Sequence, residues 1–256
     1  MIVRVPILTY HSIDGSGSVI STSPEQFRQQ MLQLQESSCH VVSLQAIVKA
    51  LRENRELPEN PVAITFDDGF ETVYSHAFPI LQAYHFPATI FLVTSCCGQA
   101  SVWNSRTPRI GSAPLATWQQ VGEMSRGAID IGSHTATHPD LTRIPPDVAE
   151  EEIRTSRQII EDRLGREVSA FAYPFGRSNS SVRVLVAREY DCACSTRLGV
   201  VGASSALDQL QRIEMHYFSS RKRFTALLRG RASSYLAVRR FLRLVRSVAD
   251  PILSSA

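Results

Sequence analysis

The sequence predicts an α/β fold, a barrel of about seven strand–helix units with a helical tail after it. Three observations carry this reading. Strand-like and helix-like segments alternate through roughly the first 200 residues, which argues for parallel strands joined by crossover helices. Several strand segments, such as VAITF (62–66) and ATIFLV (88–93), are apolar at nearly every position, as strands buried on both faces are. The unit count is barrel-like, and in (β/α) barrels the reactive groups stand at the carboxyl ends of strands.

Taken in order, residues 2–9 form the first predicted strand. STSPEQFRQQMLQLQ follows as a helix: Ser23 caps it, Pro24 suits its first position, Gln26 completes a capping box, and Phe27, Met31 and Leu34 share a face. HVVSL reads as a short strand and SLQAIVKALREN as a helix starting at Ser43. The strand at 62–66 ends on the aspartates Asp67 and Asp68, and a helix is expected over 70–84. After the strand at 88–93, residues 94–115 form a long polar loop, a length usually associated with function or disorder. TWQQVGEMSR is a helix, AIDIGSH a strand ending at His134, and PPDVAEEEIRTSRQIIEDRLG a helix with prolines at its start and Gly165 past its end. VSAFAYPFG (168–176), a helix near 179–190, CACS and QRIEMHYF complete the series. Residues 1–219 make the predicted domain and 220–256 a basic amphipathic helical tail.

Composition narrows the function classes. A chain of 256 residues can hold one large domain with a full core. The net charge of +3 is too weak to suggest a nucleic-acid partner, because the basic excess collects after Ser219. The five cysteines are an odd number without zinc-type C-x-x-C spacing, so reduced thiols are expected. The amino-terminal MIVRVPILTYHS lacks the apolar core and cleavage site of a signal peptide, and no run approaches the roughly 18–20 apolar residues of a membrane span. A cytoplasmic location is therefore expected, unless a misassigned start codon hides an export signal.

Two motifs carry chemistry. His134 and His138 in GSHTATHPDL have the spacing that places two imidazoles on one side of a helical turn, where they can hold a metal ion. The bland alternative is a strand end followed by a proline-containing turn. Asp67 and Asp68 in TFDDG are adjacent like charges, each raising the other's pKa unless a cation relieves them; alone, Asp-Asp-Gly is also an ordinary turn. Together, one carboxylate and two imidazoles make a three-ligand site open to water and substrate, which leaves the second carboxylate free for another role.

TFDDG (65–69), HTATH (134–138) and FAYPFG (171–176), in this order and spacing, resemble the first three motifs of the NodB-homology polysaccharide deacetylases, a family of metal-dependent carbohydrate esterases. The resemblance covers about residues 5–218 and implies a distorted (β/α) barrel. It implies Asp68, His134 and His138 as ligands of a divalent metal ion, zinc before others, and Asp67 as general base. It also implies an N-acetylated glycan substrate and an oxyanion-binding backbone N–H at Phe175, after Tyr173 and Pro174. The family's third motif often carries an arginine that orients the base, but Ala172 stands at that place here. This variant resembles the exopolysaccharide-type branch, with its Tyr10-His11 opening, and requires another orienting group. His216, after a late apolar strand, is where the family usually has its general acid; His11 is the rival acid or a pocket wall. Asp191 is a candidate for a fourth motif. In the tail, Leu236, Arg239, Arg240, Arg243 and Arg246 interleave with Val238, Phe241, Leu242, Val245 and Val248. Two readings stay open: a terminal helix packed on the domain with solvated arginines, or a surface helix that touches an anionic membrane.

Overall fold

The computed structural model describes residues 4–101, 103, 112–127 and 129–253, with side chains described through residue 245. Seven parallel strands close into a barrel: β1 (Ile7–Tyr10), β2 (Pro61–Phe66), β3 (Ala88–Leu92), β4 (Ile129–Ser133), β5 (Ala170–Ala172), β6 (Cys192–Leu198) and β7 (Leu210–Glu214). Each pairs with the next, and β7 returns to β1 through Ile213 opposite Leu8. The helices are α1 (Pro24–Gln35), α2 (Leu44–Glu53), α3 (Phe78–Ala83), α4 (Trp118–Arg126), α5 (Pro146–Leu164), α6 (Ser180–Glu189), α7 (Arg221–Leu228) and α8 (Ser233–Leu253).

Period-two alternation divides each strand between two apolar layers. Leu8, Tyr10, Ile64, Phe66, Ile90 and Leu92 turn outward and pack against Phe27 and Met31 of α1, Phe78 and Leu81 of α3, and Val121 and Met124 of α4. Ile7, Ala63, Phe91, Ala170, Ala172, Cys194 and Leu210 form the second layer, closed at one end by Leu44, Ile47 and Val48 of α2. Phe91 is the large residue among mostly small ones, and Gly132 of β4 makes room for it. A Cβ on Gly132 would stand 2.5 Å from Phe91 Cδ1 and 3.0 Å from the Ala170 carbonyl oxygen.

Several elements differ from the sequence-based expectation. HVVSL contributes only the pair His40–Val41, which extends the sheet beside the first residues of β2 instead of taking a place in the barrel. The helix expected at 70–84 divides into a widened turn at Val73–Ala77 and α3, because Pro79 cannot donate a backbone hydrogen bond. At α1 only half of the capping box forms, with Ser23 Oγ accepting from the Gln26 N–H at 3.2 Å. The reciprocal box forms at Thr117 and Gln120 of α4. In the segment 94–115, Ser101 N–H donates to the Ala113 carbonyl and Leu115 N–H to that of Gln99, so its described ends pair; residues 102 and 104–111 lie outside the described residues. The tail is two helices divided at Gly230 (φ 68°), and the predicted boundary at residue 219 is not a gap in packing. Phe224, Leu227, Ala232 and Leu236 join the same core as Phe27 and Met31.

Replacing Gly132 with alanine is expected to lower stability by about 1–3 kcal/mol, the usual cost of overpacking a filled core. The check is urea unfolding. An unchanged midpoint would mean that the Phe91 ring is not held against β4.

Candidate active site

Asp68, His134 and His138 come together beyond the carboxyl ends of β2 and β4, with Asp67 beside them. Strand β2 is buried along nearly its whole length and runs directly into Asp67, whose N–H donates to the Tyr10 carbonyl as if the strand continued. The next two residues are left-handed, Asp68 at φ 71° and Gly69 at φ 73°. This reversal sends the two carboxylates in different directions. Aspartate tolerates such a conformation, while Gly69 is required, because a Cβ there would stand 2.8 Å from Leu92 Cδ2.

His134 follows β4, and its Nδ1 donates to the Ala172 carbonyl oxygen at 2.7 Å, which turns Nε2 toward Asp68. The spacing to His138 suggested a helical turn, but the chain from His134 to Asp140 is irregular loop, with Thr135 (φ 71°) and His138 (φ 64°) left-handed. The rings still meet, with centroids 4.8 Å apart. Glu152 of α5 holds the loop in shape: one carboxylate oxygen accepts from the N–H groups of Ala136 and Thr137, both at 2.9 Å, and the other from Thr137 Oγ1 at 2.6 Å. His138 Nδ1 is buried without a hydrogen-bond partner among the described residues, so its ring is held by packing between Trp103 and Phe175, with both centroids 4.6 Å away.

Asp68 Oδ1 lies 3.4 Å from Nε2 of His134 and 3.4 Å from Nε2 of His138. Two ligands about 2.1 Å from one ion at the tetrahedral angle would be about 3.4 Å apart, so both Asp68–histidine distances are of the size that a shared divalent ion would set. All three residues are buried, and their donor atoms lie within 4.8 Å of one another. Burial opposes ionisation of Asp68, but its hydrogen bonds to His134 and His138 prevail and hold the carboxyl well below the usual carboxylate range.

Asp67 has a different partner, one that the sequence reading did not identify. Arg212 of β7 donates through Nη1 to Oδ1 and through Nη2 to Oδ2, both at 2.6 Å. The guanidinium is 1% exposed and is anchored by Nε donating to the Ser195 carbonyl at 3.1 Å and by the Phe91 ring, whose centroid lies 5.7 Å from Cζ. Burial pushes the Asp67 pKa up, but the charge and hydrogen bonds of Arg212 outweigh it, so the carboxyl stays below its ordinary value and ionised. Arg212 therefore holds the carboxylate that Ala172 cannot reach. A signal for it was present, since an arginine at the second inward position of a predicted strand must find a buried anion.

His11, just past β1, places Nε2 4.0 Å from Asp67 Oδ2. His216 is exposed in the turn Met215–Phe218 after β7, and its ring contact is with Tyr217. Tyr173 is buried and donates to the Asp208 carbonyl at 2.8 Å, while Phe175 (φ 58°) is 49% exposed at the lip of the site. Gly176 beside it allows no side chain, since a Cβ would meet Thr196 Oγ1 at 1.9 Å. Asp191 is not part of the cluster; it precedes β6 at the opposite end of that strand and pairs with Arg52 at 2.7 Å.

A parallel barrel with an Asp-His-His cluster and a separately held carboxylate at its strand ends gathers, where (β/α) barrels carry their reactive groups, side chains suited to hydrolysis. The model of the polysaccharide deacetylase family matches residues 54–193, and the chain belongs to that family. The Bacillus subtilis protein YxkH is 27% identical over 213 residues, covering 83% of this chain and 71% of its own. The poly-beta-1,6-N-acetyl-D-glucosamine N-deacetylase of Staphylococcus epidermidis is 29% identical over 168 residues, 62% of this chain, and the match spans about half of that relative's length, 55%. Among solved structures, the Streptococcus pyogenes deacetylase PplD in complex with acetate superposes with a TM-score of 0.73 at 29% identity, covering 84% of this chain and 93% of its own. This chain is thus a polysaccharide deacetylase by family, a carbohydrate esterase acting on C–N bonds.

Arg212→Lys keeps the charge but loses the two-pronged grip. Turnover of an acetylated glycan is expected to fall by on the order of 100-fold, because the Asp67 carboxylate loses its orientation. Zinc affinity by calorimetry should stay unchanged, since Asp68, His134 and His138 are untouched. Equal losses in both measurements would show that Arg212 shapes the whole site instead of Asp67 alone.

Proposed function

We propose that this chain removes N-acetyl groups from an N-acetylhexosamine-containing polysaccharide or its precursor, with a divalent ion, zinc before others, held by Asp68, His134 and His138. The substrate class is supported by the relatives named as poly-beta-1,6-N-acetyl-D-glucosamine N-deacetylases and by the acetate-bound deacetylase of similar fold. The observation that carries the catalytic reading is the buried Asp67–Arg212 pair next to the candidate metal ligands. A barrel that only bound glycans would have no use for an ionised carboxylate locked in place beside them. Hydrolysis of an O-acetyl ester or another amide uses the same machinery, so the acetylated substrate is chosen by the walls of the site and not by its core.

When bound, the ion supplies Lewis-acid chemistry and makes a strong nucleophile available near neutral pH. Asp67 accepts the proton of the attacking water, and Arg212 keeps that carboxylate ionised and correctly turned until then. The turn Pro174–Gly176 offers the Phe175 backbone N–H to the developing oxyanion, and its left-handed geometry is enforced by the lack of space around Gly176. The exposed Phe175 ring and Trp103 form apolar walls on which a sugar face can rest. His11 is the imidazole placed to hand a proton to the leaving amine, being 4.0 Å from Asp67. His216, exposed at the next strand end, is the alternative donor.

Release of acetate from N-acetylglucosamine oligomers by the zinc-loaded protein tests this reading. Activity should disappear with a chelator, return with added zinc or cobalt, and fall by about 10²–10⁴-fold in Asp67→Asn, the range a positioned general base contributes. Full activity in Asp67→Asn would remove it as the base. Comparing His11→Asn with His216→Asn separates the two proton donors: the larger fall in kcat is expected for His11, and the reverse order assigns the role to His216.

A further inference from the structure

Helix α8 is docked in an unusual way. It follows the buried Ala232 and faces the barrel with Leu236, both 5% exposed, and then with arginines. The Arg239 guanidinium lies over the Tyr217 ring at 4.7 Å and the Tyr235 ring at 5.2 Å. Arg243 donates through Nε to Tyr217 Oη at 3.0 Å and through Nη1 to the Thr196 carbonyl at 2.7 Å. The charged stripe therefore holds the helix to the domain. The opposite side carries Val238, Phe241, Leu242 and Val245, exposed by 56%, 63%, 44% and 48%. Their spacing of three, four and seven residues is that of an apolar stripe that normally faces a core, and here it faces outward.

We propose that this stripe is a docking surface for an anionic lipid bilayer. The segment 220–256 contains nine Lys and Arg residues against one Asp, Asp250, so the apolar stripe lies in the most basic part of the chain. Arg221, Arg229 and Arg231 line a cleft of about 790 Å³ together with the first turn of α8, and Arg4 contributes from the barrel side. Apolar side chains inside a field of positive charge complement a surface that is apolar below and anionic above. A second copy of the same chain would bring its own basic segment into the contact, which like-charge repulsion opposes. Among the described residues no helix is long and apolar enough to cross a membrane, so α8 would lie on the bilayer.

The docked orientation bears on the proposed reaction, and to that extent rests on it. Thr196, whose carbonyl Arg243 holds, packs its side chain against Gly176 in the Phe175 turn. Through Arg243 and Thr196, α8 is thus tied to the turn that carries Phe175, so a docked chain would hold that turn at a fixed place relative to the bilayer. The fitting substrate is then a glycan tethered to the membrane or still emerging from it, not a free oligosaccharide.

Co-sedimentation of the full chain with vesicles of phosphatidylglycerol and phosphatidylcholine tests the proposal, with pure phosphatidylcholine vesicles as reference. The chain should pellet with the anionic vesicles, and less so as salt is raised. Phe241→Ser combined with Leu242→Ser should weaken partitioning by on the order of 100-fold, from two apolar side chains no longer buried in lipid. Its thermal midpoint should be unchanged, because both residues are exposed, and acetate release from soluble oligomers should be kept. Wild-type protein remaining in the supernatant with anionic vesicles would overturn the proposal, as would equal pelleting of the double variant. So would a wild-type dimer in light scattering that the double variant converts to monomer, since a second copy would then be the occupant. Vesicle binding is read separately from acetate release, so failure of the deacetylase reading is distinguishable from failure of the docking.

Discussion

A guanidinium inside a barrel has to be matched by an anion, and the pairing of Arg212 with Asp67 organises much of this structure. Unpaired, either charge would be very costly to bury; paired at two 2.6 Å contacts, they fix each other's position. The pair draws in its surroundings. Phe91 lies beneath the guanidinium, Gly132 leaves the space that Phe91 fills, and Ser195 offers the carbonyl that holds Nε. Strands β2, β3, β4, β6 and β7 are thereby tied to one carboxylate at the open end of the barrel.

Asp68 sits one residue along and belongs to a different arrangement. Its left-handed backbone turns its carboxylate toward His134 and His138, so adjacent charges serve separate partners instead of repelling each other. That separation gives one short motif two carboxylates with different surroundings, one beside two imidazoles and one in the grip of a guanidinium. The histidines depend in turn on backbone groups from elsewhere, the Ala172 carbonyl for His134 and the Glu152-capped loop for His138. The Ala172 position, which carries no arginine side chain, thus still contributes through its main chain.

The α8 helix extends the same logic to the surface. Arginines that could have been solvated are used as anchors on Tyr217 and Thr196, and the apolar residues are left on the outside. The bland expectation of a packed terminal helix is met in contact but reversed in polarity, and this reversal makes the exposed stripe informative.

The sequence by itself determined the strand–helix alternation, the burial of β2 and β3, and the places of Asp67, Asp68 and His134 at strand ends. Those features are local, written in apolar runs, period and the residues that end them. The full course of the expected helix at 70–84 and the role of HVVSL were not legible, because packing and Pro79, rather than propensity alone, set their limits. Only the tertiary structure decided which group holds the Asp67 carboxylate, since Arg212 is 145 residues from Asp67 and meets it only when β7 closes the barrel against β1. It also decided which face of α8 is outward, because an amphipathic pattern specifies two faces but not which one the domain will take.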